Sequence, residues 1–356
     1  MSKILSVGTA VPPNQVKQEK VQDLVYQLFH ESYPKVERLL NVFNNGGIKS
    51  RYFAKPLEWY GEDHSFEEKN NAFIEAAIEL GCEAIIDCLE QSKVDYTEID
   101  AIFTICTTGL ATPSIEARIM NRLPFKSTTK RIPIWGLGCA GGAAGLARAH
   151  DYCKAYPDQQ VLVLGIELCS LTFQREDVSK SNIVGTSLFA DGVACVLVAG
   201  EESRSARQAS AARPIIEKTQ TTLMEDSLDV MGWEIRNEGL FVVFSKDIPT
   251  IVNNWVEPNV KEFLRSNDLT IKELEHFIAH PGGKKVIDAY EKGLGFSKEK
   301  TKYSKSVLER FGNMSSVTVL FVLKEFLQTH IEPGDRGLLT ALGPGFSSEL
   351  LLLRWG

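Results

Sequence analysis

Short apolar runs alternate with helical patterns along the whole chain. In the first half these runs cover 102–107, 161–166 and 194–199, and in the second half 277–279, 337–342 and 349–353. Residues 2–9 predict a further strand at the start of the chain. Brief apolar runs bounded by turn residues are typical of buried strands. Because strands and helices alternate, the pattern predicts an α/β fold with a sheet rich in parallel pairs.

The length of the chain bears on its domain organisation. With 356 residues, of which 44% are hydrophobic, the chain can bury a large core. It is too long for one ordinary domain, yet no linker-like or low-complexity tract divides it. We therefore predict two closely packed halves, 1–210 and 211–356.

Charge and composition exclude several classes of function. The net charge of −7 argues against a nucleic-acid partner, since phosphate binding needs concentrated basic charge. No apolar run of 18 residues predicts a membrane span, and we expect no cleavable signal before Pro12. Seven cysteines without a CxxC pair indicate reduced thiols in a cytoplasm. The six histidines lack the spacing of metal ligands, so we expect no metal.

One cysteine stands out by its local sequence. Cys139 lies between glycines, after the apolar stretch 132–137 and directly before a small-residue helical pattern over 143–149. A strand, a turn and a helix in this order would place the thiol at a helix N-terminus, which favours the nucleophilic thiolate. The alternative is a buried cysteine that packs as a small hydrophobic residue.

A histidine and an asparagine stand at comparable positions. The strand 277–279 ends at His280, and Asn313 precedes the helical pattern 317–327. Taken singly, His280 could be a satisfied core histidine and Asn313 a helix N-cap. Together with Cys139 they form a set of nucleophile, base and polar stabiliser, which is the logic of acyl transfer.

These motifs carry a resemblance to a known family. The chain resembles the type III polyketide synthases, the chalcone-synthase-like branch of the thiolase superfamily, over nearly its whole length and especially the Bacillus-type alkylpyrone synthases. The matching segments are 138–142, 188–192, 279–283, 312–316 and 341–346. The resemblance implies a five-layered αβαβα fold of two similar halves, a homodimer and no cofactor, since CoA enters only as the carrier of substrates.

The resemblance also implies roles for the site residues. His280 is expected to hold Cys139 as a thiolate in an ion pair, and the thiolate accepts the acyl starter. His280 and Asn313 are then expected to stabilise the enolate that forms when malonyl-CoA loses CO₂. Phe189 matches the gatekeeper phenylalanine between the CoA tunnel and the cavity, although a core phenylalanine would also fit its neighbours.

Substrate choice is expected to depend on the cavity wall. The resemblance places Thr107, Cys169, Thr172, Trp233, Leu240 and Val242 on or near this wall, with the loop Gly343, Pro344 and Gly345 at its floor. Most are small or aliphatic, which favours a medium- to long-chain fatty acyl-CoA starter. Bulky Trp233 is expected to close one branch of the cavity. Expected products are triketide and tetraketide alkyl pyrones, with alkylresorcinols as a second outcome.

Binding of CoA is the least defined part of the prediction. Relatives usually carry basic residues on an early helix, where this chain has Arg38, Asn41 and Asn45. Candidate phosphate contacts are Arg38, Lys49, Arg51, Lys284 and Lys285, each of which could equally be a solvated surface charge. Gly282 and Gly283 are expected to let the backbone approach pantetheine closely.

Three other functions compete with this interpretation. A β-ketoacyl-ACP synthase III-type enzyme, making one condensation with malonyl-ACP in fatty acid synthesis, would share the Cys–His–Asn set. The segments 280–283 and 343–345 favour the polyketide synthase instead. A silent acyl-CoA-binding protein would have no reason to keep all three residues. A degradative thiolase needs a second cysteine near the C-terminus, and none follows Cys195.

Overall fold

The computed structural model describes residues 1–33, 36–209, 212–245 and 248–356. The strands are β1 (Ser2–Ala10), β2 (Asn14–Lys17), β3 (Ser50–Phe53), β4 (Ala101–Cys106), β5 (Lys130–Trp135), β6 (Gln160–Leu168), β7 (Asp191–Gly200), β8 (Pro214–Leu223), β9 (Met231–Arg236), β10 (Gly239–Phe244), β11 (His276–Ala279), β12 (Arg336–Gly343) and β13 (Ser347–Trp355). Each of the eight predicted strands is present, with ends that differ by at most a few residues.

The helices are α1 (Gln18–Phe29), α2 (Val36–Asn45), α3 (Phe66–Ser92), α4 (Ile115–Ile119), α5 (Gly141–Ala155), α6 (Lys180–Leu188), α7 (Arg204–Gln208), α8 (Ile248–Ile251), α9 (Glu257–Arg265), α10 (Lys284–Leu294), α11 (Lys302–Phe311) and α12 (Thr318–Leu327). Short 3₁₀ turns at Gly138–Ala140 and Ser315–Val317 precede α5 and α12. The predicted boundary between the halves, at residues 210 and 211, lies outside the described residues.

Nine strands pair in the order β11-β12-β13-β8-β1-β7-β6-β4-β5. In the first half, the pairs β1–β7 and β7–β6 are antiparallel and the pair β6–β4 is parallel. In the second half, the pairs β8–β13 and β13–β12 are likewise antiparallel and the pair β12–β11 is parallel. The two halves therefore repeat one topology, and β1 pairs with β8 at Ser2 and Lys3 to join them.

The prediction of a sheet rich in parallel pairs is wrong. Only β4–β5, β4–β6 and β11–β12 are parallel among the eight neighbouring pairs of the described sheet. Most of its antiparallel strands, like β7 and β6, are buried on both faces, whereas β8 is partly exposed. Helices cover both faces, so these strands read as continuous apolar runs, a pattern that usually marks parallel sheets.

Alternate side chains on each strand serve two different layers. In β6, Val161 and Val163 pack into a central cluster with α5 and α12, whereas Leu162 and Leu164 pack against α3. The second half repeats this arrangement, with β12 and β13 between the central helices and α9 and α10. The expected αβαβα order of five layers is confirmed.

The two central helices approach each other closely because the first turn of α5 is built from small residues. A Cβ atom on Gly142 would lie 2.1 Å from the Ser316 carbonyl oxygen, so no larger residue fits there. This contact brings the N-terminal ends of α5 and α12 together at the centre of the molecule.

Candidate active site

Cys139 lies in the 3₁₀ turn at the N-terminal end of α5. The turn begins at Gly138, which has φ +46, and a Cβ atom there would lie 2.7 Å from the Pro344 ring. The Gly138 N–H also donates to Thr107 Oγ1 at 3.1 Å. The turn that carries Cys139 is thus fixed between the β12–β13 turn on one side and Thr107 on the other.

His280 follows β11 directly and is 3% exposed. Its backbone N–H donates to the Thr340 carbonyl at 2.8 Å, which continues the pairing of β11 with β12. Neither ring nitrogen has a hydrogen-bond partner among the described residues. A buried polar group without a partner is costly, so this imidazole is prepared to bind a ligand.

The side-chain amide of Asn313 has a fixed orientation. Its Oδ1 accepts from the Ser315 N–H at 2.8 Å, and its Nδ2 donates to the Gly282 carbonyl at 3.1 Å. A backbone N–H can only donate and a carbonyl can only accept, so the amide cannot be flipped. The Cys139 Sγ lies 3.9 Å from Oδ1. One N–H of Nδ2 remains available for a substrate oxygen.

Burial dominates the electrostatics of these groups. It raises the pKa of the Cys139 thiol to about 12 and lowers the pKa of the His280 imidazole to about 3. Both shifts favour the neutral forms, which is opposite to the thiolate–imidazolium pair expected from the sequence. The N-terminus of α5 favours the thiolate, but desolvation is the larger effect in this structure.

A buried carboxyl group supports the site through hydrogen bonds to the residues around it. Glu167 accepts hydrogen bonds from the Thr107 N–H, Thr108 Oγ1 and Ser316 Oγ at 2.7–3.1 Å. Burial raises the pKa of Glu167 to about 7. Sequence reasoning missed this residue, although a glutamate inside the apolar run of β6 is itself a signal. Thr107 connects Glu167 to the turn that carries Cys139.

Phe189 borders two cavities. The first, which we call the entrance cavity, has a volume of about 620 Å³ and is lined by Cys139, His280, Asn313 and Phe189. The second, which we call the inner cavity, is narrow, at about 40 Å³, and Phe189 also lines it. The Phe189 ring lies 5.7 Å from the rings of both Trp233 and Phe244. An aromatic group of three rings thus stands where the two cavities adjoin.

Most of the predicted wall residues lie around the inner cavity. It is lined by Cys169, Thr172, Trp233 and Val242, together with apolar residues of α1. The prediction for Leu240 needs correction, because this residue borders a separate small cleft rather than the inner cavity.

Two further wall predictions also need correction. Thr107 supports the turn that carries Cys139, and it lines neither the entrance cavity nor the inner cavity in the described part of the chain. Gly343, Pro344 and Gly345 form the end of the β12–β13 hairpin, against the turn that carries Cys139. The entrance cavity itself is lined by residues that flank this loop, Leu342 and Phe346.

The basic residues at the mouth of the entrance cavity are only partly those that the sequence predicted. Gly282, Gly283, Lys284 and Lys285 line it, and so does Lys180 at the start of α6, which sequence reasoning missed. The sequence signal that could have identified Lys180 is its position directly after Ser179, which caps the N-terminus of α6.

Three predicted phosphate contacts lie elsewhere. Arg38 is exposed on α2 and does not line the described cavity, and Lys49 pairs with Glu309. Arg51 is fully buried, so the prediction that it contacts CoA phosphate is wrong.

Two general features concern the whole described chain. Within residues 1–33, 36–209, 212–245 and 248–356, no three His, Cys, Asp or Glu side chains are grouped as a metal site would require. Over the same ranges, no helix has the length and apolar character needed to cross a bilayer.

A five-layered fold of two repeated halves, with a cysteine, a histidine and an asparagine lining one buried cavity, defines a condensing acyltransferase. The family models of the chalcone and stilbene synthases match this sequence. The model of their N-terminal domain matches residues 1–202, and the model of their C-terminal domain matches residues 215–355. The chain belongs to this family of type III polyketide synthases.

Individual relatives agree with this assignment over full length. A Bacillus subtilis (strain 168) protein named "Putative chalcone synthase" is 52% identical, over 100% of this chain and 99% of its own. The 1,3,6,8-tetrahydroxynaphthalene synthase of Streptomyces peucetius subsp. caesius is 35% identical, over 99% and 93%. The crystal structure of the 1,3,6,8-tetrahydroxynaphthalene synthase of Streptomyces coelicolor A3(2) has a TM-score of 0.91 at 28% identity and covers 99% of both chains.

Proposed function

We propose that this chain extends a fatty acyl-CoA starter, held as a thioester on Cys139, by repeated decarboxylative condensation with malonyl-CoA. The observation that carries the proposal is the entrance cavity, whose wall contains Cys139, His280 and Asn313 and which meets an apolar inner cavity at Phe189. The products we expect are triketide and tetraketide alkyl pyrones, with alkylresorcinols as a second class.

Acylation of Cys139 comes first. The thiol proton passes to the unpartnered imidazole of His280 as the starter thioester enters, and the sulfur attacks the thioester carbonyl. The C–S bond to CoA breaks, and the CoA thiolate takes the proton from His280. Because burial disfavours both charges, we expect the ion pair to exist only during this step.

Decarboxylation and condensation follow on the same residues. The bond between the malonyl methylene carbon and CO₂ breaks, and its electron pair becomes the enolate of acetyl-CoA. The free N–H of Asn313 Nδ2 and an N–H of His280 stabilise the enolate oxygen. The enolate carbon then attacks the Cys139 thioester, a C–C bond forms, and the sulfur leaves. The lengthened chain on CoA returns to Cys139 for the next cycle.

The inner cavity supports the choice of a fatty starter. Its lining is mainly apolar and includes Val21, Leu24 and Val25 of α1, next to Phe53. Burial of apolar surface is the main gain when an alkyl tail binds. At about 40 Å³ the cavity holds no tail as it stands, so Phe189 and Trp233 must turn aside when one enters.

Binding of CoA is proposed at the mouth of the entrance cavity. Lys180, Lys284 and Lys285 are exposed there and can meet the phosphates, in place of the basic residues that relatives carry on α2. Gly283 lines the path between this mouth and Cys139 without a side chain to obstruct pantetheine. This distribution supports CoA thioesters as substrates.

Two further features are part of the proposal. Seven free cysteines are compatible with a reducing cytoplasm. Strand β5 is at the edge of the sheet, and its Trp135 is 47% exposed. An uncovered strand edge with an exposed tryptophan supports a homodimer through this edge.

The experiment that tests the function is product analysis by mass spectrometry. Malonyl-CoA is supplied with acyl-CoA starters of increasing length and one aromatic starter, to the wild type and to Cys139→Ala. Alkyl pyrones that form without a carrier protein, and that disappear in Cys139→Ala, are expected. A single condensation that requires malonyl-ACP would contradict the proposal. Products made from malonyl-CoA alone would overturn the fatty starter but not the enzyme class.

A further inference from the structure

One arginine is buried behind the gate between the two cavities. Arg51 in β3 is fully buried, and its Nη1 donates to the carbonyl oxygens of Thr186 and Phe189, both at 2.6 Å. These carbonyls lie at the C-terminal end of α6, where a helix has no internal donors left for them. The backbone of the gate residue Phe189 is therefore held by a charged side chain that touches neither cavity.

The same side chain packs against the segment that carries Asn313. A Cβ atom on Gly312 would lie 2.8 Å from Arg51 Cδ, and Gly312 has φ +73. The Asn313 N–H donates to the Leu188 carbonyl, and the Ala190 N–H donates to the Asn313 carbonyl, both at 2.9 Å. The gate residue and the amide thus lie side by side in a short parallel bridge, and Arg51 contacts both strands of it.

A carboxyl group lies in the same buried region as Arg51, and burial raises its pKa to about 7. Asp191 is also fully buried and accepts from the backbone N–H groups of Ala54 and Ser170 at 2.6 and 2.7 Å. Its carboxyl group acts electrostatically on Arg51 without a direct ion pair. Buried charges add little net stability, so a geometric task for Arg51 is compatible with its burial.

We propose that Arg51 is a positioning residue that holds the Phe189 gate and the Asn313 amide as one unit. The inference depends on the proposed function, in which Asn313 stabilises the enolate. Both carbonyls accept from the single Nη1 atom, and Nε and Nη2 have no hydrogen-bond partner among the described residues. An arginine suits this task because its side chain is long enough for one nitrogen to reach both carbonyls, whereas the lysine side chain is shorter. Loss of these hydrogen bonds should therefore misplace the enolate donor and leave in place the turn that carries Cys139, which has no hydrogen bond to Arg51 among the described residues.

Two variants test the inference, Arg51→Lys and Arg51→Met. Self-acylation of Cys139 by starter acyl-CoA is followed by intact-protein mass, and decarboxylation by acetyl-CoA release from malonyl-CoA alone. We expect decarboxylation to fall about tenfold or more in Arg51→Met and less in Arg51→Lys, with self-acylation changed by less than about threefold. The matched control is Arg354→Met, which breaks a part-buried ion pair with Glu217 on the outer part of the second half and should change neither rate.

The outcomes separate the two proposals. If Arg51→Lys and Arg51→Met decarboxylate like the wild type, or lose both rates equally, Arg51 has no positioning role. If Arg51→Met does not fold, the ratio of the two rates in Arg51→Lys decides, because that variant keeps the buried charge. A wild-type enzyme that releases no acetyl-CoA from malonyl-CoA would instead overturn the proposed function.

Discussion

Replacing Asn313 by Asp changes one N–H donor into a carboxylate oxygen. In the structure the Asn313 Nδ2 faces the Gly282 carbonyl oxygen at 3.1 Å and has one N–H left for the enolate. Loss of such a donor costs about 3 kcal/mol, a factor of about 100 in rate. A negative charge about 4 Å from the enolate oxygen adds about 4 kcal/mol at an effective dielectric constant of about 20. Protonation of the buried carboxyl limits the second cost, so we expect a loss of about 1000-fold at neutral pH.

The assay is release of acetyl-CoA from malonyl-CoA across a range of pH. Asn313→Ala removes the donor without adding a charge, so it should lose only about 100-fold and show no recovery in acid. Asn313→Asp should partly recover as the pH falls, because a protonated carboxyl can donate again. Decarboxylation in Asn313→Asp that equals the wild type, or that matches Asn313→Ala at every pH, would refute the role given to the amide.

Further predictions concern CoA binding, the nucleophile turn and buried charge. Lys285→Ala should raise KM for malonyl-CoA about fivefold but not KM for an N-acetylcysteamine thioester, which lacks the phosphates, and Lys49→Ala should change neither. Gly138→Ala should lower the free energy of unfolding by about 1–2 kcal/mol and abolish self-acylation, whereas Gly295→Ala, at φ +68 in open space, should only destabilise. Burial raises the pKa of Glu349 to about 7, so its cost to stability grows as pH rises from about 4.5 to 7. Thermal denaturation should therefore show that Glu349→Gln stabilises more at pH 8 than at pH 4.

The sequence predicted the elements better than their pairing. Apolar runs identified β6, β7, β12 and β13, because burial on both faces leaves a continuous signal. The direction of neighbouring strands depends on how distant segments meet, and β1 pairs with β7 across almost 190 residues. Local pattern holds no information on such contacts, so the antiparallel majority was missed.

The site shows a similar division. Cys139, His280 and Asn313 follow strands or precede helices, which is the local signal that singled them out, and the structure brings all three to the wall of the entrance cavity. The functions of Thr107 and Arg51 were misjudged, because each depends on its hydrogen-bond partner in another element. A basic residue on a short strand gives no local sign that it will be enclosed by a helix end and a glycine turn.

The repeated topology of the two halves has a consequence for assembly. The helices α5 and α12 occupy matching places, and the cysteine precedes one whereas the asparagine precedes the other. Neither half by itself contains a nucleophile together with an enolate donor. Condensation activity therefore measures how well the two halves are docked. If the chain were split between them, activity would return only to the extent that the fragments reassociate. Catalysis in this enzyme depends on the interface between the two halves, not on either half alone.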